Sequence, residues 1–233
     1  MSLNLFQLFK NIQRRAQSLR LGRYATLSYS QEGEDLILNR IFDGKENGFY
    51  IDVGAHHPVR FSNTYFFYKK NWCGINIEPN PNVVSIFKAA RLRDINLQVG
   101  VSDSTQTLKY YYFDEPALNT FDADIVEDRL RNTQYKVIKV ENIPMLRLDE
   151  ILAAYVPIGQ KIDFLSIDVE GFDFMVLKSN NWSKFRPTCV LVEVLNSTLE
   201  KIMGSDIHIY MKNNSYSLLS RTYNTLIYKN DRA

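Results

Sequence analysis

The chain has 233 residues, 45% hydrophobic and 23% charged, which suits a soluble globular protein with room for one sizeable α/β domain. A formal net charge of +2 gives no basis for nucleic acid as the main partner. The two cysteines, Cys73 and Cys189, sit far apart in apolar, strand-like runs, and this points to buried reduced thiols in a cytoplasmic protein rather than a disulfide.

No apolar run is long enough to span a membrane. The N-terminal charges Lys10, Arg14 and Arg15 follow the apolar residues instead of preceding them, unlike a signal peptide. Residues 3–23 place Leu5, Phe6, Phe9 and Ile12 on one helix face, with five basic residues and no acid. The extension 1–28 is therefore expected to carry a basic amphipathic helix. Such a helix packs on its own domain or makes peripheral contact with an anionic surface such as the inner membrane face.

The main domain is expected over 29–233. Its first helix falls in "YSQEGEDLILNRIF", 29–42. Ser30 is placed to cap it, Glu32, Glu34 and Asp35 complement the helix dipole, and Leu36, Ile37, Ile41 and Phe42 form the buried stripe.

Five short apolar runs follow: "GFYIDVG" (48–54), "CGINIEP" (73–79), "NLQVGVSD" (96–103), "DFLSIDVEG" (163–171) and "TCVLVEV" (188–194). Helix-compatible segments at 62–71, 80–91, 171–179 and 198–213 alternate with most of them. The alternation predicts a parallel sheet covered on both faces. Residues 104–147 break it and read as inserted strands, either a lid over a ligand or a structural hairpin. The chain ends in two strands, 216–230, joined by a tight turn near Asn224.

Each of the five runs carries an acid at or near its carboxyl end: Asp52, Glu78, Asp103, Asp168 and Glu193. Ligands of open α/β sheets bind outside those ends. The first run ends in Asp-x-Gly but lacks the glycine fingerprint of dinucleotide sites, since His56, His57, Pro58 and Val59 follow, and no phosphate-binding loop occurs elsewhere. A nucleoside without a diphosphate is the expected ligand. Glu78 is placed to accept from both ribose hydroxyls, a geometry that also serves NAD. Asp103 is placed for an adenine amino group. Each acid has an alternative role in a turn or cap.

The blocks "SQEGED" (30–35), "FYIDVGAHHPVRFSNTYFFY" (49–68), "WCGINIEPNP" (72–81), "VGVSD" (99–103), "SIDVEGFDFMVL" (166–177) and "CVLVEV" (189–194) together resemble the FkbM family of S-adenosylmethionine-dependent methyltransferases. The resemblance implies a Rossmann-like class I methyltransferase fold, a seven-stranded, mostly parallel sheet with the last strand antiparallel and helices on both faces. It implies O-methylation of a sugar hydroxyl on a glycan, a lipopolysaccharide precursor or a natural product. Carried over by position, Asp52 and Gly54 match the first cofactor motif and Glu78 the ribose acid. Ser102 and Asp103 match the adenine side, and Asp168 faces the methyl-transfer centre. Many relatives have a further glycine where this chain has His57-Pro58, so His56 or Asn63 is expected to take over contacts to the methionine carboxylate. Gln31 and Ala55 complete the cofactor set.

A sugar hydroxyl needs a base as it is methylated. The candidates are Asp168, Glu170, His56 and His57, with Asp168 best placed and Glu170 second; Asp173 is assigned to the helix dipole. No metal is assigned. Asp168 and Glu170, with Glu193, are the oxygen ligands Mg²⁺ would take, and no zinc-type spacing of His and Cys occurs. Two other readings share some of these features: an NAD-type oxidoreductase, and a module that binds a nucleoside or glycan without turnover.

Overall fold

The computed structural model describes residues 24–195 and 197–232. The N-terminal amphipathic helix expected over 1–28 falls almost wholly outside them, and the described stretch 24–28 is not helical.

Helix α1 is Glu34–Ile41. Its N-cap is Gly33, at φ 88°, not Ser30. Ser30 instead turns its hydroxyl toward Asp35, donating at 3.0 Å, and the same carboxylate accepts from Ser28 Oγ and Tyr29 N. The fully buried apolar residue of α1 is Leu38, inside the expected stripe's span but not among its members.

Strands β1 (Phe49–Val53) and β2 (Cys73–Ile77) are parallel neighbours, with the short helix α2 (Tyr65–Lys69) between them in sequence. Asn80 caps α3 (Pro81–Ala90) by accepting from Asn82 N at 3.0 Å, with Pro81 at the first helical position, where its missing N–H costs nothing.

The run 96–103 is not one strand. Strand β3 (Ile95–Leu97) pairs with β2, and then the chain leaves that sheet. Strand β4 (Gly100–Val101) pairs in parallel with β6 (Val137–Leu146) of a second sheet, whose other edge is β5 (Gln106–Phe113). Gly100 permits the crossing, because a Cβ there would lie 2.2 Å from Met145 Sδ on β6. The inserted segment also holds a 3-10 turn at Pro116–Leu118 and a helix the sequence reading left out, α4 (Ala123–Asn132). Asp122 caps α4 by accepting from Asp124 N and Ile125 N.

The chain then returns to the large sheet through α5 (Leu148–Tyr155), β7 (Phe164–Ile167), α6 (Asp173–Ser179) and β8 (Cys189–Glu193). The expected helix 198–213 is two helices, α7 (Leu199–Met203) and α8 (Asp206–Asn213). Gly204 ends the first, and Ser205 starts the second by accepting from His208 N at 3.2 Å. Strands β9 (Tyr216–Arg221) and β10 (Thr225–Asn230) form the closing hairpin.

The large sheet has seven strands in the order β3-β2-β1-β7-β8-β10-β9, and the last strand in sequence, β10, runs antiparallel to both neighbours. Alternate side chains feed opposite faces. Ile51, Val53, Leu165, Val190 and Val192 pack with Leu152, Val176, Leu177 and Met211 of the helices on one face. Tyr50, Phe164, Leu191 and Ile227 pack with Leu38 and Phe67 on the other. The order reverses direction between β1 and β7, so a crevice opens at their carboxyl ends. Both cysteines are free thiols, Cys189 buried and Cys73 half-buried. No helix among the described residues is long and apolar enough to cross a membrane.

Candidate active site

The carboxyl ends of β1, β2, β7 and β8 open onto one cavity of about 300 Å³, roofed by the inserted segment. Gln31, Asp52, Gly54, Ala55, His56, Asn63, Glu78, Asp168, Glu170 and Glu193 all line it.

Gly54, at φ 79°, is required where it stands. Its N–H donates to Ile77 O at 2.9 Å, and a Cβ would lie 1.8 Å from the Asp168 carbonyl oxygen. β1 and β7 therefore approach each other at the floor of the cavity closely enough that only glycine fits.

Asp52 is buried and accepts from Thr64 Oγ1 at 3.0 Å. Burial pushes its pKa up to about 6, against the lowering by that hydrogen bond. Thr64 is held in turn by Arg91, which is fully buried and also donates to Pro58 O, Tyr50 Oη and Ser62 Oγ, with the Asp94 carboxylate 3.6 Å away. This network fixes the 58–64 loop. Asn63, on that loop, donates to Ser166 Oγ at 3.0 Å.

Glu78 accepts from Asn80 N at 2.9 Å and from His56 N at 3.2 Å. Burial raises its pKa to about 7. Each carboxylate oxygen keeps a second lone pair for a ligand in the cavity. His56 sits at φ 48° with its ring stacked 6.3 Å from Phe61, and its buried Nε2 has no partner among the described residues. Burial lowers its pKa, so the ring is neutral at pH 7. His57, the other imidazole considered as a base, is not in the lining: its Nδ1 accepts from Val59 N and Arg60 N and closes that turn.

The acids at the β7 and β8 ends form a cluster. One carboxylate oxygen each from Asp168, Glu170 and Glu193 lies within 4.8 Å of the others. Burial pushes the Asp168 pKa well up, and the Glu193 charge adds to the rise; Glu193 itself is raised to about 8 by burial and the charge of Glu170. Two carboxyls this close raise each other's proton affinity. Glu170 sits at φ 52°, and its carboxylate is paired with Arg129 of α4. Thr120 Oγ1 donates to the Glu170 carbonyl at 2.9 Å, so the inserted segment grips the turn after β7 twice. Asp173 is buried and closes the same turn, accepting from Val169 N at 3.3 Å and Gly171 N at 3.2 Å. All-oxygen donors of this type suit a hard divalent cation, but Arg129 already occupies one of the three.

Ser102 and Asp103 do not line the cavity. Once the chain has crossed into the second sheet, Asp103 turns toward Lys178, 3.2 Å away, while Ser102 is buried and accepts from Gln106 Nε2. The sequence places an acid after the third run but does not reveal that the run breaks first.

A family model for the methyltransferase FkbM domain matches residues 52–218. The chain belongs to the FkbM methyltransferase family. No curated protein matches it. In this FkbM methyltransferase domain the switch point of the sheet, Gly54, and the acids Glu78 and Asp168 surround one cavity. Sequence reasoning missed Arg129 in its wall; Tyr110, in "LKYYYF", and Phe121 fall among the aromatics of the inserted segment that suit a lid or substrate wall as well as a structural hairpin. Only the pattern Ile125, Val126 and Leu130 behind a capping Asp122 signalled the helix that carries Arg129.

Proposed function

We propose that this FkbM methyltransferase uses S-adenosylmethionine to methylate a sugar hydroxyl of a glycan, a lipopolysaccharide precursor or a natural product. One observation carries the reading: the carboxyl pair Asp168–Glu193, with raised proton affinity, shares a cavity with Glu78 and the Cβ-free Gly54.

The residues present fit such a cofactor. Glu78 has free lone pairs for ribose hydroxyls. Gly54 lets a ligand approach the β1 backbone. His56 and Asn63, on the loop after β1, line the same cavity, and in this reading they meet the amino-acid carboxylate. When bound, S-adenosylmethionine supplies an electrophilic methyl group on a cationic sulfur.

The chain's own residues then do three things. The inserted segment covers the cavity and excludes water. The turn after β7, held by Arg129, Thr120 and Asp173, fixes Asp168; such positioning supplies up to ~7–11 kcal/mol in ideal cases. The Asp168–Glu193 pair accepts the proton of the attacking hydroxyl. An ordinary aspartate is too weak a base for this, and burial beside a second carboxylate brings the pair closer to the task.

Incubation with S-adenosylmethionine and a panel of glycans, read by mass spectrometry, tests the reading. Wild type is expected to add a methyl group to at least one sugar hydroxyl. Asp168→Asn is expected to bind cofactor yet lose about 10²–10⁴-fold in turnover. Wild-type rates in that variant would remove Asp168 from the chemistry.

A further inference from the structure

With Ser102 and Asp103 turned away, the nucleoside half of the cavity needs polar contacts from elsewhere. Around Glu78 the wall is mostly apolar: Pro79, Val83, Val99 and Val101. Besides His56, whose N–H donates to Glu78, polar side chains reach this wall from the inserted segment, Tyr110 on β5 and Asn119 just past the 3-10 turn.

Tyr110 is buried, its ring 4.6 Å from Phe121 and 4.8 Å from Tyr112, centroid to centroid. This packing locks the ring. Burial and the neighbouring Glu78 carboxylate push the phenol's pKa well up, so it stays a proton donor. Asn119 is oriented as well. Its Oδ1 accepts from Phe113 N at 2.8 Å, which leaves its amide N–H groups to the cavity it lines. Phe121, which carries the Tyr110 ring, stands against Gly100, three residues past the Leu97 carbonyl that accepts from Glu78 N, so Tyr110 and Glu78 line one side of the cavity and the phenol has a proton to give there.

We propose that Tyr110, with Asn119 beside it in the wall, donates a hydrogen bond to the nucleoside of bound S-adenosylmethionine beside Glu78, so that the inserted segment supplies contacts Ser102 and Asp103 do not. This rests on the methyltransferase reading above. The segment is then part of the cofactor site as well as its roof. Within it, Tyr110 and Asn119 line the cavity, while Thr120 and Arg129 hold the turn that follows Asp168.

The test is calorimetric titration of the full chain with S-adenosylhomocysteine, followed by competition with adenosine. Tyr110→Phe keeps the ring packing and removes only the hydroxyl. It is expected to weaken both ligands by the same factor, about 3- to 10-fold, as for one net hydrogen bond. Asn119→Ala is expected to weaken them as well, by removing the segment's second polar side chain from the cavity wall. It carries the test alone if Tyr110→Phe does not fold, as judged by thermal melting. Wild-type affinity for S-adenosylhomocysteine in both variants would overturn the proposal. Failure of wild type itself to bind S-adenosylhomocysteine would overturn the methyltransferase reading and this inference with it.

Discussion

At the scale of single residues, the acids at the strand ends differ by what surrounds them. Glu78 is held by two backbone N–H donors, Asp52 by a hydroxyl, and Asp168 by neither; it faces Glu193 instead. Asp168 was legible as a site residue because an acid ending a buried strand is costly without a purpose. Its partner was not, because β8 lies beside β7 only in the folded sheet, and sequence order says nothing of which acids become neighbours. The pair makes a direct prediction. Removing the Glu193 charge takes away one of the effects that hold Asp168 protonated. Glu193→Gln is expected to move the ascending, base-dependent limb of the kcat/KM profile down by about one pH unit. A limb that stays in place would separate Glu193 from the proton transfer.

At the scale of elements, the parallel strands and their helices were readable from short apolar runs alternating with amphipathic segments. The breaks were not. The third run splits because Gly100 lets the chain pass against Met145, and 198–213 splits because Gly204 and Ser205 end one helix and start another. Helix α4 was missed because its apolar signal is three residues long. Equally invisible was Arg91, a charged residue in a polar stretch that ends up fully buried and ties α3 to the 58–64 loop and, through Thr64, to Asp52. Truncating it leaves Asp94 buried and uncompensated. Arg91→Ala is expected to cost roughly 3–5 kcal/mol in urea unfolding and to weaken cofactor binding as the loop loosens. A loss under about 1 kcal/mol would mean that the network does not anchor the loop.

At the scale of the whole molecule, the site is a store of suppressed charge. Asp52 is raised to about 6, Glu78 and Asp173 to about 7, and Glu193 to about 8. A carboxyl with a raised folded-state pKa stabilises the fold while protonated, and that stabilisation is lost as pH rises through the folded-state value. His56 and His57 are lowered and act in the opposite sense, but only below the ordinary imidazole value near 6.5. The ligand-free chain is therefore expected to melt lower at pH 9 than at pH 6.5, by about 5 °C or more. A melting temperature that is flat or rising across that window would contradict the raised values. A cationic ligand seated in the cavity would favour the ionised acids and offset the loss.

The proposed ligand of this cavity is S-adenosylmethionine, not a dinucleotide. Titration calorimetry of the full chain with S-adenosylmethionine and, separately, with NAD tests it most directly. The account predicts saturable one-to-one binding of S-adenosylmethionine and no heat with NAD; saturable binding of NAD with none of S-adenosylmethionine would contradict it.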